Sequence, residues 1–153
     1  MFKHILVPVD GSSASNQGIE KAIALALAFK SAVTLVSVVD LYAFAGMGMD
    51  AGFGQVDYLN AATEEANQAV KTAKQRFADS GIVVTSSVVE GQLIYKNILD
   101  AAEAAHADLI VMGSHGRKGL EKLVLGSVTA QVLSHTCLPV LVVREQKDLQ
   151  IEN

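Results

Sequence analysis

Tryptophan is absent from this sequence, cysteine occurs once, proline twice, and only 5% of the residues are aromatic. Each scarcity excludes something. So few rings offer no platform on which successive nucleobases would stack. A lone thiol, Cys137, cannot close an internal disulfide, and the simplest compartment for such a chain is the cytoplasm. Long apolar runs are missing too. The longest, AIALALAF at 22–29, has eight residues, where a bilayer span needs about 20, so no direct membrane insertion is expected. The opening MFKHILVPVDGS meets Pro8 and Asp10 too early to read as a signal peptide. Positive charge is in deficit: 12 Lys and Arg against 16 Asp and Glu leave a formal charge of −4. That argues against a general nucleic-acid binder, though not against a local basic site.

What is present is apolar and regular. Half of the 153 residues are hydrophobic, enough for one domain with a substantial core. HILVPV (4–9) reads as a buried strand, followed by a DGSS turn with Ser12 or Ser13 as helix cap. Helical spacing then runs over 14–30, with a second strand at 32–40. A long helix is predicted at 57–80, its inward stripe being Tyr58, Ala62, Ala66, Ala69, Ala73 and Phe77, with Gly81 closing it. A third strand at 82–91, a helix at 93–105, a strand at 108–113, a helix at 127–135 and a strand at 138–144 complete the chain. Strands alternating with helices predict a parallel sheet with helices on both faces. The segment 41–56, rich in glycine and methionine, is expected to be irregular and mobile. Pro8 sits awkwardly. Proline lacks the donor that a central strand uses, so propensity alone moves the first strand to an edge.

The stretch VMGSHGRKGLEKLVLGSVT (111–129) carries four glycines and three hydroxyl residues. It lies beyond the carboxyl end of a strand, where parallel α/β sheets bind ligands. A glycine-lined loop feeding a helix N-terminus is an anion site. Here Gly126 leaves room for an oxygen, and Ser127 can cap the helix and donate to a phosphate. Arg117 and Lys118 suit either phosphate steering or a solvated loop. Ser114 and His115 lie in the loop, with no acid–base partner evident in sequence. A Walker loop needs a Gly-Lys dipeptide, which the chain lacks. GMGMDA (46–51) matches a dinucleotide loop only loosely, since no helix opens on it. His4, His106 and His135 are scattered without metal-ligand spacing.

Gly113-x2-Gly116-x9-Gly126-Ser127, together with ILVPVDGS near the start and PVLVVR near the end, closely resembles the universal stress protein family. The resemblance spans 1–144 as a single domain and leaves 145–153 as a short tail. It implies a three-layer, Rossmann-like α/β fold with a five-stranded parallel sheet of order 3-2-1-4-5. It also implies a central first strand and homodimers, and the glycine signature marks the ATP-binding branch. Carried onto this sequence, Asp10 contacts the adenosine, Pro8 lines the adenine pocket and Val38 offers backbone contacts to adenine. Met112 and Gly113 lie beside the ribose, Gly116 approaches the phosphates, and Gly126, Ser127 and Val128 cradle them. EGQLIY (90–95) lacks the proline that often follows in the family, which bears on the far pocket wall. The ligand implied is ATP, with ADP or AMP as alternatives, and Mg²⁺ or Mn²⁺ held mainly by the phosphates.

Strand PVLVVR should be an edge, and an apolar edge needs cover. A two-fold dimer through Val140, Leu141, Val142 and Val143 supplies it. The resulting expectation is a non-enzymatic, cytoplasmic stress-response sensor whose nucleotide occupancy signals to an unidentified protein partner. A slow ATPase of the same fold, or an interaction module with a vestigial site, are the competing readings.

Overall fold

The computed structural model describes residues 1–42, 52–116 and 125–146. Nine elements follow in strict alternation: β1 His4–Pro8, α1 Ser13–Phe29, β2 Ala32–Asp40, α2 Gly52–Asp79, β3 Thr85–Gly91, α3 Ile94–Ala104, β4 Leu109–Gly113, α4 Ser127–His135 and β5 Val140–Val143. The five strands form one parallel sheet of order β3-β2-β1-β4-β5. Helices cover both faces, as all-parallel sheets require.

Alternation along the strands sorts the core into two layers. Ile5 and Val7 of β1, and Val9 just after it, point with Val33 and Leu35 of β2 toward α1 and α2, where Phe77 is completely buried. Leu6 and Val36 point the other way, onto Ile98 and Ala102 of α3 and Val132 of α4. Helix α1 starts at Ser12, whose hydroxyl accepts the Ser15 amide at 3.2 Å. It buries Ala14, Gly18, Ile19, Ala22 and Ala26, a narrow stripe of small residues that lets its backbone ride close to β4.

Pro8 closes a central strand, against propensity. Alternate strand amides face opposite neighbours, and the Val9 amide donates to Val36 O of β2 at 2.8 Å. The Pro8 nitrogen therefore faces β4, whose registered pairing with β1 stops at Leu6↔Ile110. The missing donor falls where the ladder has already ended.

Three expectations are corrected. Helix α2 begins at Gly52, so the last part of the segment expected to be irregular is helical. Gly52 and Gly54 each cost about 1 kcal/mol in a helix, which a helix of 28 residues absorbs through its packed face. Residues 43–51, which include all of GMGMDA, lie outside the described residues, and so does the mobility expected there. Strand β3 starts at Thr85 rather than 82, because Ile82 is taken up in closing α2: its amide donates to Phe77 O across Gly81, which has φ 77°. On α2 the buried stripe is Ala66, Val70, Ala73 and Phe77. Val70 replaces Ala69, and Tyr58 is 40% exposed.

Candidate functional site

The order of the sheet reverses at β1, which lies between β2 and β4, and a crevice of about 440 Å³ opens there beyond the strand ends. Its apolar wall comes from Pro8, Val36, Val38 and Met112, with Ile94 and Ile98 of α3 and Val128 of α4. Tyr58, Ala62 and Glu65 of α2 line the opposite side.

Asp10 organises the first turn. Its Oδ1 accepts the Ser12 amide at 2.9 Å, and its own amide donates to Ser15 Oγ at 3.3 Å. Gly11, at φ 80°, lets the chain reverse into α1. The carboxylate is thereby held at the crevice rim as the helix starts.

The glycine loop is pinched at its neck. The Gly126 amide donates to Ser114 O at 2.8 Å, and the Ser114 amide donates to Val143 O of β5 at 2.8 Å. Thr129 Oγ1, from the first turn of α4, donates to Gly113 O at 3.0 Å. These bonds aim the N-terminus of α4 into the crevice. Gly126 takes the cap position and provides no side-chain acceptor. Among the described residues, no side chain caps the first-turn amides of α4, the arrangement that receives anions. Ser127 is the first helical residue and not the cap, which corrects the expectation from sequence.

The signature glycines answer first to neighbouring protein. A Cβ on Gly113 would lie 2.8 Å from the Ala14 carbonyl carbon, and one on Gly126 would lie 3.0 Å from His115 Cα. On Gly116 it would reach 2.7 Å from Asp10 Oδ2 and displace the carboxylate. The motif therefore seats α1, the loop neck and Asp10 against one another, and the crevice is what remains between them.

Of the residues singled out in the sequence, Pro8, Asp10, Val38, Met112, Gly113, Gly116, Gly126, Ser127 and Val128 all line this one crevice. Arg117 lies outside the described residues. Val143, expected at a dimer interface, is buried in the core of its own chain, whereas Leu141 on β5 is 39% exposed. Sequence reasoning missed Tyr58, Glu65, Ile94 and Ile98, because nothing in their spacing distinguishes a crevice wall from an ordinary helix face. It also missed Glu145. His115 Nδ1 lies 3.1 Å from Ser114 Oγ, and its Nε2 lies 3.5 Å from Glu145 Oε2. Ser13 Oγ donates to Glu145 Oε1 at 2.6 Å. Glu145 thus ties the chain after β5 to both α1 and the glycine loop. Among the described residues, the ionisable groups lining the crevice are Asp10, Asp40, Tyr58, Glu65 and His115. No three His, Cys, Asp or Glu side chains converge as metal ligands among those residues. Nor is any described helix long and apolar enough to cross a membrane.

An open parallel sheet with a ligand-sized crevice at its switch point and a glycine-capped helix aimed into it defines a doubly wound, Rossmann-like α/β protein. The chain belongs to the Universal stress protein family, whose sequence profile matches residues 1–144. Universal stress protein MJ0531 of Methanocaldococcus jannaschii is 35% identical over 147 residues, covering 96% of this chain and 85% of that protein. The solved structure of MJ0577 from the same organism superposes with a TM-score of 0.80 at 31% identity, covering 96% of this chain and 99% of that one. A universal stress protein solved in complex with cAMP shares the fold at 22% identity and a TM-score of 0.69, covering 95% of this chain and 99% of that one.

Proposed function

We propose that the protein is a nucleotide-occupancy sensor of the stress response, a member of the ATP-binding branch acting in the cytoplasm as a homodimer. The observation that carries this reading is the N-terminus of α4, capped by no side chain among the described residues and held by the Gly126–Ser114 bond at the edge of the crevice. Phosphates meet those amides at Gly126, Ser127 and Val128. The adenine lies in the apolar wall of Pro8, Val38 and Met112, with Asp10 toward the sugar. Volume agrees, since the crevice lies within the range of small-molecule sites. The cAMP-bound relative is an instance of an adenine nucleotide held by this fold. Mg²⁺ or Mn²⁺ enters on the phosphates, coordinated by their oxygens and water rather than by a protein cage. ADP and AMP fit the same chemistry with fewer contacts. Occupancy favours the conformation that a protein partner recognises, and the dimer forms along β5.

A slow hydrolysis has one supporting observation, the contact of His115 with both Ser114 and Glu145, which gives the loop a histidine in hydrogen-bonded surroundings. The principal test is calorimetric titration with ATP and Mg²⁺, ADP and AMP, beside a Gly126→Val variant. ATP binding at micromolar strength that the variant loses while remaining folded supports the sensor. A folded wild-type protein that binds none of the three sinks it and leaves an interaction module. Phosphate release clearly above the variant's would add the ATPase activity.

A further inference from the structure

If the crevice holds a phosphorylated nucleoside, its preference among phosphate charges has a determinant outside the glycine motif. We infer that Glu145, two residues past β5, is a specificity-determining residue. It holds the His115 imidazole on itself and so weakens the grip on highly charged nucleotides. The inference rests on the nucleotide reading above.

His115 lines the crevice next to Gly116, with its Cα against the Gly126 backbone. Among the described residues it is the one lining group able to carry positive charge; Asp10, Asp40 and Glu65 are carboxylates. Both ring nitrogens are engaged, Nδ1 with Ser114 Oγ at 3.1 Å and Nε2 facing Glu145 Oε2 at 3.5 Å. The carboxylate is not free to swing away. Ser13 Oγ holds its other oxygen at 2.6 Å, and the next amide, Gln146 N, donates to Gln17 Oε1 at 3.0 Å. The Glu145 side chain is only 35% exposed and that of His115 19%, so water screens the pair incompletely.

A carboxylate in this position opposes an incoming phosphate in two ways. It faces the outward nitrogen of the imidazole and competes with a phosphate for it, and it adds a like charge beside the cradle. From the β1–α1 turn Asp10, in contact range of Gly116, adds negative charge in the same sense. Both effects grow with ligand charge and vanish for an uncharged nucleoside. Glu145 therefore biases the site away from ATP and toward less charged adenine ligands, and its removal should reverse that bias.

The test is titration of the full chain with ATP, AMP and adenosine in one buffer, for wild type, Glu145→Gln, Glu145→Ala and His115→Gln, plus the Glu145→Gln/His115→Gln double variant. Both Glu145 variants should bind ATP about two- to fivefold more tightly, the range expected for a partly exposed charge. AMP should gain less and adenosine nothing, and the ATP gain should shrink in the His115→Gln background. A merely structural role would shift all three ligands alike. An ATP-to-adenosine affinity ratio equal to that of wild type, or weaker ATP binding, overturns the inference while leaving the nucleotide site standing. A folded wild-type protein that binds none of the three ligands overturns the parent reading instead, and this inference with it.

Discussion

Gly113→Ala is a sharp test of what the glycine motif is for. If Gly113 exists to admit a ribose, an alanine there would weaken ligand binding and leave the empty protein as stable as before. The geometry predicts otherwise. The added methyl would lie 2.8 Å from the Ala14 carbonyl carbon, 2.9 Å from its oxygen and 3.0 Å from its Cβ. Carbon atoms in comfortable contact sit about 3.5–4.0 Å apart, so α1 must move off β4 by several tenths of an ångström. It has little freedom to do so. Its first turn is capped by Ser12, and one turn further along the same face a Cβ on Gly18 would lie 3.5 Å from the Gly113 nitrogen, so α1 runs close to β4 there too. Overpacking of this kind costs about 1–3 kcal/mol. For a domain of this size each kcal/mol lowers Tm by about 2–4 °C. Thermal unfolding without nucleotide, followed by far-UV circular dichroism, should show Tm lower by about 2–12 °C. An unchanged Tm with weakened ATP binding would falsify the packing argument and return Gly113 to the ligand.

Two further outcomes are expected. Asp108 feels slight burial, which raises its pKa, but the amides of Lys3 and His4 outweigh it and hold the carboxyl below its ordinary value of 3.8. A depressed carboxyl stabilises the fold above its unfolded pKa, and that contribution is lost as pH falls through the folded value. Urea unfolding of Asp108→Asn should therefore show lower stability at neutral pH and a difference from wild type that closes in acid. A constant difference across pH would refute this. At the β5 edge, Val142→Glu should give a monomer on a sizing column, whereas an unchanged dimer would move the interface elsewhere.

The alternation of strands with helices and the two-sided core were legible because they follow from short apolar runs and helical spacing, which depend only on neighbours in sequence; the spatial order of the strands came from the family resemblance, since propensity alone moves β1 to an edge. The crevice residues in glycine motifs were legible for a related reason: glycine marks close approach wherever it occurs. What approaches was not legible. Ala14 lies about a hundred residues from Gly113 in sequence, and only the parallel crossover brings them together. Val70 was passed over for Ala69 because positions three and four residues after Ala66 both lie on one helix face, and only packing against the sheet chooses between them. Glu145 lies beyond the last strand, in a stretch with no pattern of its own. Its role depends on Ser13 and His115 arriving from two other elements. The start of α2 was misplaced because glycine propensity is a local signal and the packed face of a long helix overrides it.

Pro8 bears on why there is a cleft to fill at all. A parallel ladder tends to extend as long as donors and acceptors keep meeting. Continued by register, the pairing of β1 with β4 would set Val7 opposite Val111 and Pro8 opposite Met112, and Pro8 is the next residue after Leu6 whose nitrogen faces β4. Proline has no hydrogen to give there. The two central strands stop being zipped together at the level where the molecule needs them to part, and both of these residues line the crevice. One imino acid acts as a stop in the seam of the sheet, so the opening is set by the covalent chain itself rather than by anything that later enters it.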